Sequence, residues 1–202
     1  KTNDALVQVV RLFDNPAVPH PDGSIDMMRD INAFETEFIL SDMALIEKRI
    51  ESIKKPILKT QDDKLKKELP VLEKCLELLQ EEKPLRDHHF GKEELQMLKT
   101  YQLLSIKPML IALNFDESQI NDTEKYLSEV IKHKSGHNTK VLFFFGKIEM
   151  EMSDLSDEDA KVFMQDYGIT ESALDKLIRE AYDLLGLQSF FTVGEDECRA
   201  GT

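Results

Sequence analysis

Three short, almost unbroken apolar runs constrain this chain more than any other feature. They are Ala5-Leu6-Val7-Gln8-Val9-Val10-Arg11-Leu12-Phe13, Pro108-Met109-Leu110-Ile111-Ala112-Leu113 and Val141-Leu142-Phe143-Phe144-Phe145. Runs of this kind, without polar alternation, read as strands covered on both faces, as in a parallel sheet flanked by helices. Residues 14–107 separate the first run from the second, far more than the dozen or so that a crossover helix needs. A helical domain inserted into an α/β domain is therefore expected. The first run begins almost at residue 1, which suggests that its sheet partners lie upstream and that the chain is part of a longer protein.

Within the interval, Asp14 to Gly23 carries Pro16, Pro19 and Pro21 and reads as loop. From Ile31 to Ile57 the residues Ile39, Met43, Ile46, Ile50, Ile53 and Ile57 step by fours and threes; Leu65, Leu69, Leu72, Leu76 and Leu79 repeat the pattern after a polar break at Lys59 to Lys64. Two helices with complementary seams predict an antiparallel coiled-coil hairpin. Pro56 is expected near its tip, where the first helix ends, and Pro70 is expected to start or kink the second. A third helix, about Lys92 to Ser105, leads to the second strand. Downstream, helices are expected from Asp122 to His133, from a cap at Ser156-Asp157-Glu158-Asp159, and from Thr170 to Leu185, stopping at Gly186. Ser189-Phe190-Phe191-Thr192-Val193-Gly194 reads as the first strand of a further domain.

With 202 residues, 41% of them hydrophobic, the chain can bury a substantial core. No apolar run approaches the ~18 residues of a membrane span, and Lys1-Thr2-Asn3-Asp4 begins no signal-peptide core. Cys75 and Cys198 are too few for a disulfide framework and read as reduced thiols, which suggests a cytoplasmic setting. A net charge of −13 argues against nonspecific attraction of the whole surface to nucleic acid or anionic membrane.

The second apolar run ends abruptly in Asn114-Phe115-Asp116-Glu117. A buried strand that delivers an Asn and then an acid is a means of presenting side chains to a purine base. In the guanine-specific form of this corner, N-K-x-D, a short carboxylate accepts from N1–H and the exocyclic amine. Here Phe115 replaces the Lys and Glu117 the Asp, and the longer side chain moves the carboxylate out of that geometry. An unpaired donor in a desolvated pocket costs ~1–3 kcal/mol, enough to reverse a purine preference. Adenine offers N7 and N6 to Asn114 instead. The plainer reading of N-x-x-E is a helix N-cap. No G-x-x-x-x-G-K-[ST] phosphate loop occurs anywhere in the chain. Asp87-His88-His89 lacks a second ligand cluster at metal-binding spacing, so no metal site is expected there.

Several segments recur together in order: Asp4-Ala5-Leu6-Val7-Gln8-Val9-Val10-Arg11, Phe38-Ile39-Leu40-Ser41-Asp42-Met43, Gln102-Leu103-Leu104-Ser105-Ile106-Lys107-Pro108, the Asn114 corner, Lys147-Ile148-Glu149 and Phe190-Phe191-Thr192-Val193-Gly194. In this order and spacing the chain resembles the Obg-like ATPases of the YchF type over almost its whole length. The resemblance implies the second half of a Rossmann-like P-loop NTPase domain, interrupted by a coiled-coil insertion and followed by the start of a TGS domain. The corresponding divisions are 1–30 and 107–188 for the nucleotide-binding domain, 31–106 for the helical insertion and 189–202 for the TGS start. It implies ATP as the nucleotide, with Asn114, Phe115 and Glu117 reading the base and Phe115 acting through its backbone. Phe145-Gly146 stands where the family carries Ser-Ala or Ser-Gly; Gly146 keeps the close backbone approach, while Phe145 removes a hydroxyl. The phosphate loop and the Mg2+ ligands of the family precede Lys1, so this chain alone is expected not to hydrolyse ATP.

Between residues 48 and 67 the chain holds eight basic residues, Lys48, Arg49, Lys54, Lys55, Lys59, Lys64, Lys66 and Lys67, against three acidic ones. A basic projection on an acidic body suits a phosphate backbone, and Lys54, Lys55, Lys64, Lys66 and Lys67 are the candidate contacts. The family resemblance implies a ribosome or RNA partner. The alternatives are a noncatalytic RNA- or protein-binding coiled coil on an α/β scaffold, and a GTPase. Oligomeric state is not legible.

Overall fold

The computed structural model describes residues 3–59, 62–134, 136, 138–193 and 198–201. The side chains of Lys59 and Cys198, and Gly194, lie outside the described set. The chain divides into two compact units, one formed chiefly by residues 26–107 and the other by 5–25, 108–135 and 139–202.

In the second unit, β1 (Leu6–Arg11), β2 (Met109–Asn114) and β3 (Thr139–Phe144) form a parallel sheet in the order β1-β2-β3. The register pairs Leu6 with Met109 and Arg11 with Asn114 on one side of β2, and Met109 with Thr139 and Asn114 with Phe144 on the other. Met109 to Leu113 are all buried, which is why this strand has no polar alternation. α4 (Thr123–Lys134) crosses from β2 to β3. α5 (Gly146–Ser153) and α6 (Asp157–Asp166) follow, then α7 (Ala173–Leu184), whose Leu177 and Leu184 pack on Leu110, Ala112, Leu142 and Phe144. Ser156 and Ser172 cap the last two helices by accepting from the Asp159 and Asp175 amides. On the same sheet face β1 leaves Val7 and Val9 exposed, at 47% and 59%. β4 (Phe190–Val193) and β5 (Cys198–Gly201) form an antiparallel pair.

The other unit is built on α1 (Met27–Lys59) and α2 (Asp63–Gln80). Only residues 60–62 lie between them, so the second helix returns along the first. Ile39, Ile46, Ile50 and Ile53 share a core with Leu72, Cys75 and Leu79, and this core extends to Leu85, Leu98 and Leu103. Arg49 crosses the seam as a two-pronged donor to Glu68, at 2.7 and 3.0 Å, and also reaches the Tyr101 hydroxyl at 3.1 Å. The guanidinium holds the Glu68 carboxyl below its usual range, against the opposing effect of burial.

Three boundaries depart from the expected ones. α1 runs through Pro56 to Lys59; proline removes one amide donor, and the apolar seam at Ile53 and Ile57 continues across it. α2 starts at the Asp62 cap, whose carboxylate accepts from the Lys64 amide at 2.9 Å, so Pro70 lies inside the helix rather than at its start. The third helix, α3 (Lys92–Leu98), passes into a 3-10 turn and stops at Gln102, which has φ +53°. Beyond that break the Leu104 and Ser105 amides donate to the Asp42 carboxylate at 2.9 and 2.7 Å instead of to helix carbonyls.

Candidate functional site at the strand ends

Adjacent parallel strands bring their carboxyl ends side by side, and in open α/β sheets ligands bind outside those ends. The β2–β3 register therefore sets Asn114-Phe115-Asp116-Glu117 beside Phe145-Gly146. Asn114 joins the two loops: its Oδ1 accepts from the Gly146 amide at 3.0 Å. A side chain at position 146 would meet that carboxamide, since a Cβ there would lie 3.0 Å from Oδ1 and 3.2 Å from Nδ2. Gly146 is thus required by close approach rather than by backbone angle.

Phe115 extends the sheet by one bond, its amide donating to the Phe144 carbonyl at 3.0 Å. Its ring, 1% exposed, lies 5.6 Å from the Tyr126 ring and 6.2 Å from those of Phe143 and Phe145. Phe145, 4% exposed, ends the strand with its ring in the same cluster. Both aromatic side chains are thus buried in one ring cluster.

The cap after β2 falls on Asp116, not on Asn114. Asp116 accepts from the Ser118 amide at 3.1 Å and its hydroxyl at 2.7 Å, and these bonds hold its carboxyl below the usual range. Gln119 returns the bond by accepting from the Asp116 amide at 2.9 Å, and it donates to the Leu12 carbonyl at 2.9 Å. That leaves Asn114 outside the capping role. Glu117, the first residue of a short 3-10 turn, meets Lys147 Nζ at 3.1 Å, which raises the lysine pKa. Asp116, Gln119 and Lys147 are not among the residues that the sequence singles out for the base. The signal for the first two was the D-x-S-Q spacing of an Asx turn and capping box.

In the helical unit Lys54, Lys55, Lys64, Lys66 and Lys67 are all exposed near the connection between α1 and α2. Lys66 has Asp63 at 3.8 Å, a weak surface pair. Arg49 drops out of the basic group, since Glu68 neutralises it. Cys75 is a buried free thiol. No helix among the described residues is long and apolar enough to cross a membrane.

No protein-family model matches the chain. Individual relatives match it throughout. It is 36% identical over 201 residues to the ribosome-binding ATPase YchF of Bacillus subtilis, covering 98% of this chain and 55% of that protein. It is 37% identical over 202 residues to the YchF of Haemophilus influenzae, covering all of this chain and 55% of that protein. The Obg-like ATPase 1 of Caenorhabditis elegans is 28% identical, covering 98% of this chain and 51% of that protein. A solved structure described as the Schizosaccharomyces pombe YchF GTPase superposes with a TM-score of 0.83 at 25% identity, covering 98% of this chain and 54% of that one. The three-stranded parallel sheet, with polar loops at its strand ends, defines an α/β protein. Within that class its homologues, matched along the full length of this chain, are YchF-type, Obg-like ATPases. It spans about half the length of the relatives it matches.

Proposed function

We propose that this chain is the base-reading part, with its helical arm, of an ATP-binding and ATP-hydrolysing Obg-like protein that works with the ribosome. The observation that carries the choice of base is the bond from the Phe115 amide to Phe144. With its N–H engaged, Phe115 offers its carbonyl, an acceptor that suits the N6 amine of adenine and opposes the O6 of guanine. Asn114 accepts from the Gly146 amide through Oδ1 and keeps Nδ2 as a donor for N7. Glu117, paired with Lys147, does not take the place of the short carboxylate that guanine needs. Phe145 supports the corner from below, and Gly146 lets the base approach.

Phosphoryl transfer needs a phosphate loop and Mg2+, and these 202 residues contain no G-x-x-x-x-G-K-[ST] motif. We therefore assign those groups to length that the relatives have and this chain does not span. The helical unit is read as the coiled-coil insertion and β4 as the start of a TGS domain. Lys54, Lys55, Lys64, Lys66 and Lys67 would meet ribosomal RNA, and the protein would act in the cytoplasm.

Calorimetry on the complete protein tests the base. ATP should bind more tightly than GTP, and Phe115→Lys with Glu117→Asp should move the preference towards GTP; equal or better GTP affinity in the unmodified protein rejects the reading. Ribosome co-sedimentation at two salt concentrations tests the arm. Neutralising the five lysines should weaken binding and flatten its salt dependence, and unchanged binding places the partner site elsewhere.

A further inference from the structure

A cavity of about 400 Å³ opens beside the carboxyl end of β3; Phe143, Phe145, Tyr167 and Lys176 line it, together with the paired Glu171 and Arg179 and with Glu149. Its volume is that of a small-molecule site. Neither Asn114 nor Glu117 lines it; Phe145 does, and its ring also meets that of Phe115.

Lys176 sets the chemistry of this cavity. Its Nζ lies 4.0 Å above the centre of the Phe143 ring, and burial lowers its pKa. Among the described residues every nearby carboxylate is engaged by something else. Glu171 holds Arg179 at 2.5 Å, and Glu180 holds Lys140 at 2.9 Å. Glu149 accepts from the Ala173 amide at 2.8 Å, at the start of α7, and Asp175 takes the Ser172 hydroxyl at 2.8 Å. The result is a half-buried ammonium whose close contact among the described residues is an aromatic face. Such a contact attracts the cation without neutralising it, and Glu171 and Glu180, each paired with another cation, act on it only from a distance. An anion entering the cavity would supply that charge while removing no existing ion pair.

We propose that this cavity is a second small-molecule site, taking a planar aromatic anion whose charged group meets Lys176 and whose ring packs against Phe143 and Phe145. Ring-to-ring packing in offset or edge-on geometry suits the tilted walls, since Phe143 and Phe145 are set at 82° with centres 6.0 Å apart. Phe145 has a role here that a serine at that position could not fill. The proposal does not depend on which nucleotide the base corner reads.

The test is an amide-resolved NMR titration of the 202-residue chain with 2-naphthoate, and with 2-naphthol as its neutral counterpart. Saturable shifts are expected at Phe145, Gly168, Thr170 and Lys176, with 2-naphthol at least tenfold weaker. Lys176→Met should weaken naphthoate at least tenfold, and Lys176→Arg should keep most of the affinity, which guards against a folding defect in the first variant. Absence of saturation overturns the proposal. So do equal affinities for the two probes, shifts confined to the outer α7 residues Leu174 and Ile178, or binding unaffected by Lys176→Met.

Discussion

Asp42 is the residue whose replacement should cost the helical unit most. It is buried on α1 and its carboxylate accepts three hydrogen bonds: from the Leu104 amide at 2.9 Å, the Ser105 amide at 2.7 Å and the Ser105 hydroxyl at 2.6 Å. Ser105 is itself fully buried, so water cannot easily replace what is lost. Bonds to a charged acceptor contribute ~1.5–3 kcal/mol each, but neighbouring bonds in one network are not additive. Asp42→Ala should therefore destabilise by about 3–5 kcal/mol, near the upper end for single substitutions. Asp42→Asn keeps one acceptor oxygen and turns an NH2 towards an amide donor, and should cost about 2–3 kcal/mol. Ser105→Ala removes only the hydroxyl bond and should cost about 1 kcal/mol. Urea unfolding followed by far-UV circular dichroism, dominated by α1 and α2, would rank the three. An Asp42→Asn variant within about 0.5 kcal/mol of the parent would refute the claim that this carboxylate orders the 102–107 segment.

The Cys75 thiol, pushed up to about 12 by burial, should resist iodoacetamide in the native state and react only on unfolding; in a Cys198→Ser background, stoichiometric labelling of folded protein contradicts this. Glu68 is held below its unfolded pKa chiefly by Arg49, so its stabilisation is present above the unfolded value and lost as pH falls through the folded one. Thermal melts below pH 5 should thus fall less steeply for Glu68→Gln than for the parent, and parallel curves would exclude the effect. Gly146→Ala should disturb the bond to Asn114, losing about 1 kcal/mol that a helical alanine largely returns. Its urea midpoint should stay near the parent value while ATP affinity of the complete protein falls several-fold, and retained affinity would remove Asn114 from base reading.

β2 is legible because coverage on both faces leaves an unbroken apolar run and both of its edges are paired, whereas β1 carries a similar run with Val7 and Val9 exposed. The α1–α2 seam was legible because helical spacing records one buried face. What escaped was set by distant partners. Gln102 breaks its helix in the left-handed region, where few residues other than glycine are expected. Asp42 captures amides more than sixty residues away, which no local pattern reports. The segments 38–43 and 102–108, which the sequence shows only as recurring motifs, are the two halves of that one contact.

The base corner divides the same way. Asn114 could be picked out from where its strand stopped, but its tie to Gly146 depends on β2 and β3 lying side by side in register. That register also decides which Phe115 group remains for a ligand. The strand pairing consumes the amide and leaves the carbonyl. A departure at position 115 from lysine to phenylalanine therefore does more than delete a charge: it inserts a ring that packs with Tyr126, Phe143 and Phe145 and fixes the backbone above it. On the proposed reading, base preference would rest on backbone polarity held by these rings, so exchanging Glu117 alone should shift it less than exchanging Glu117 and Phe115 together.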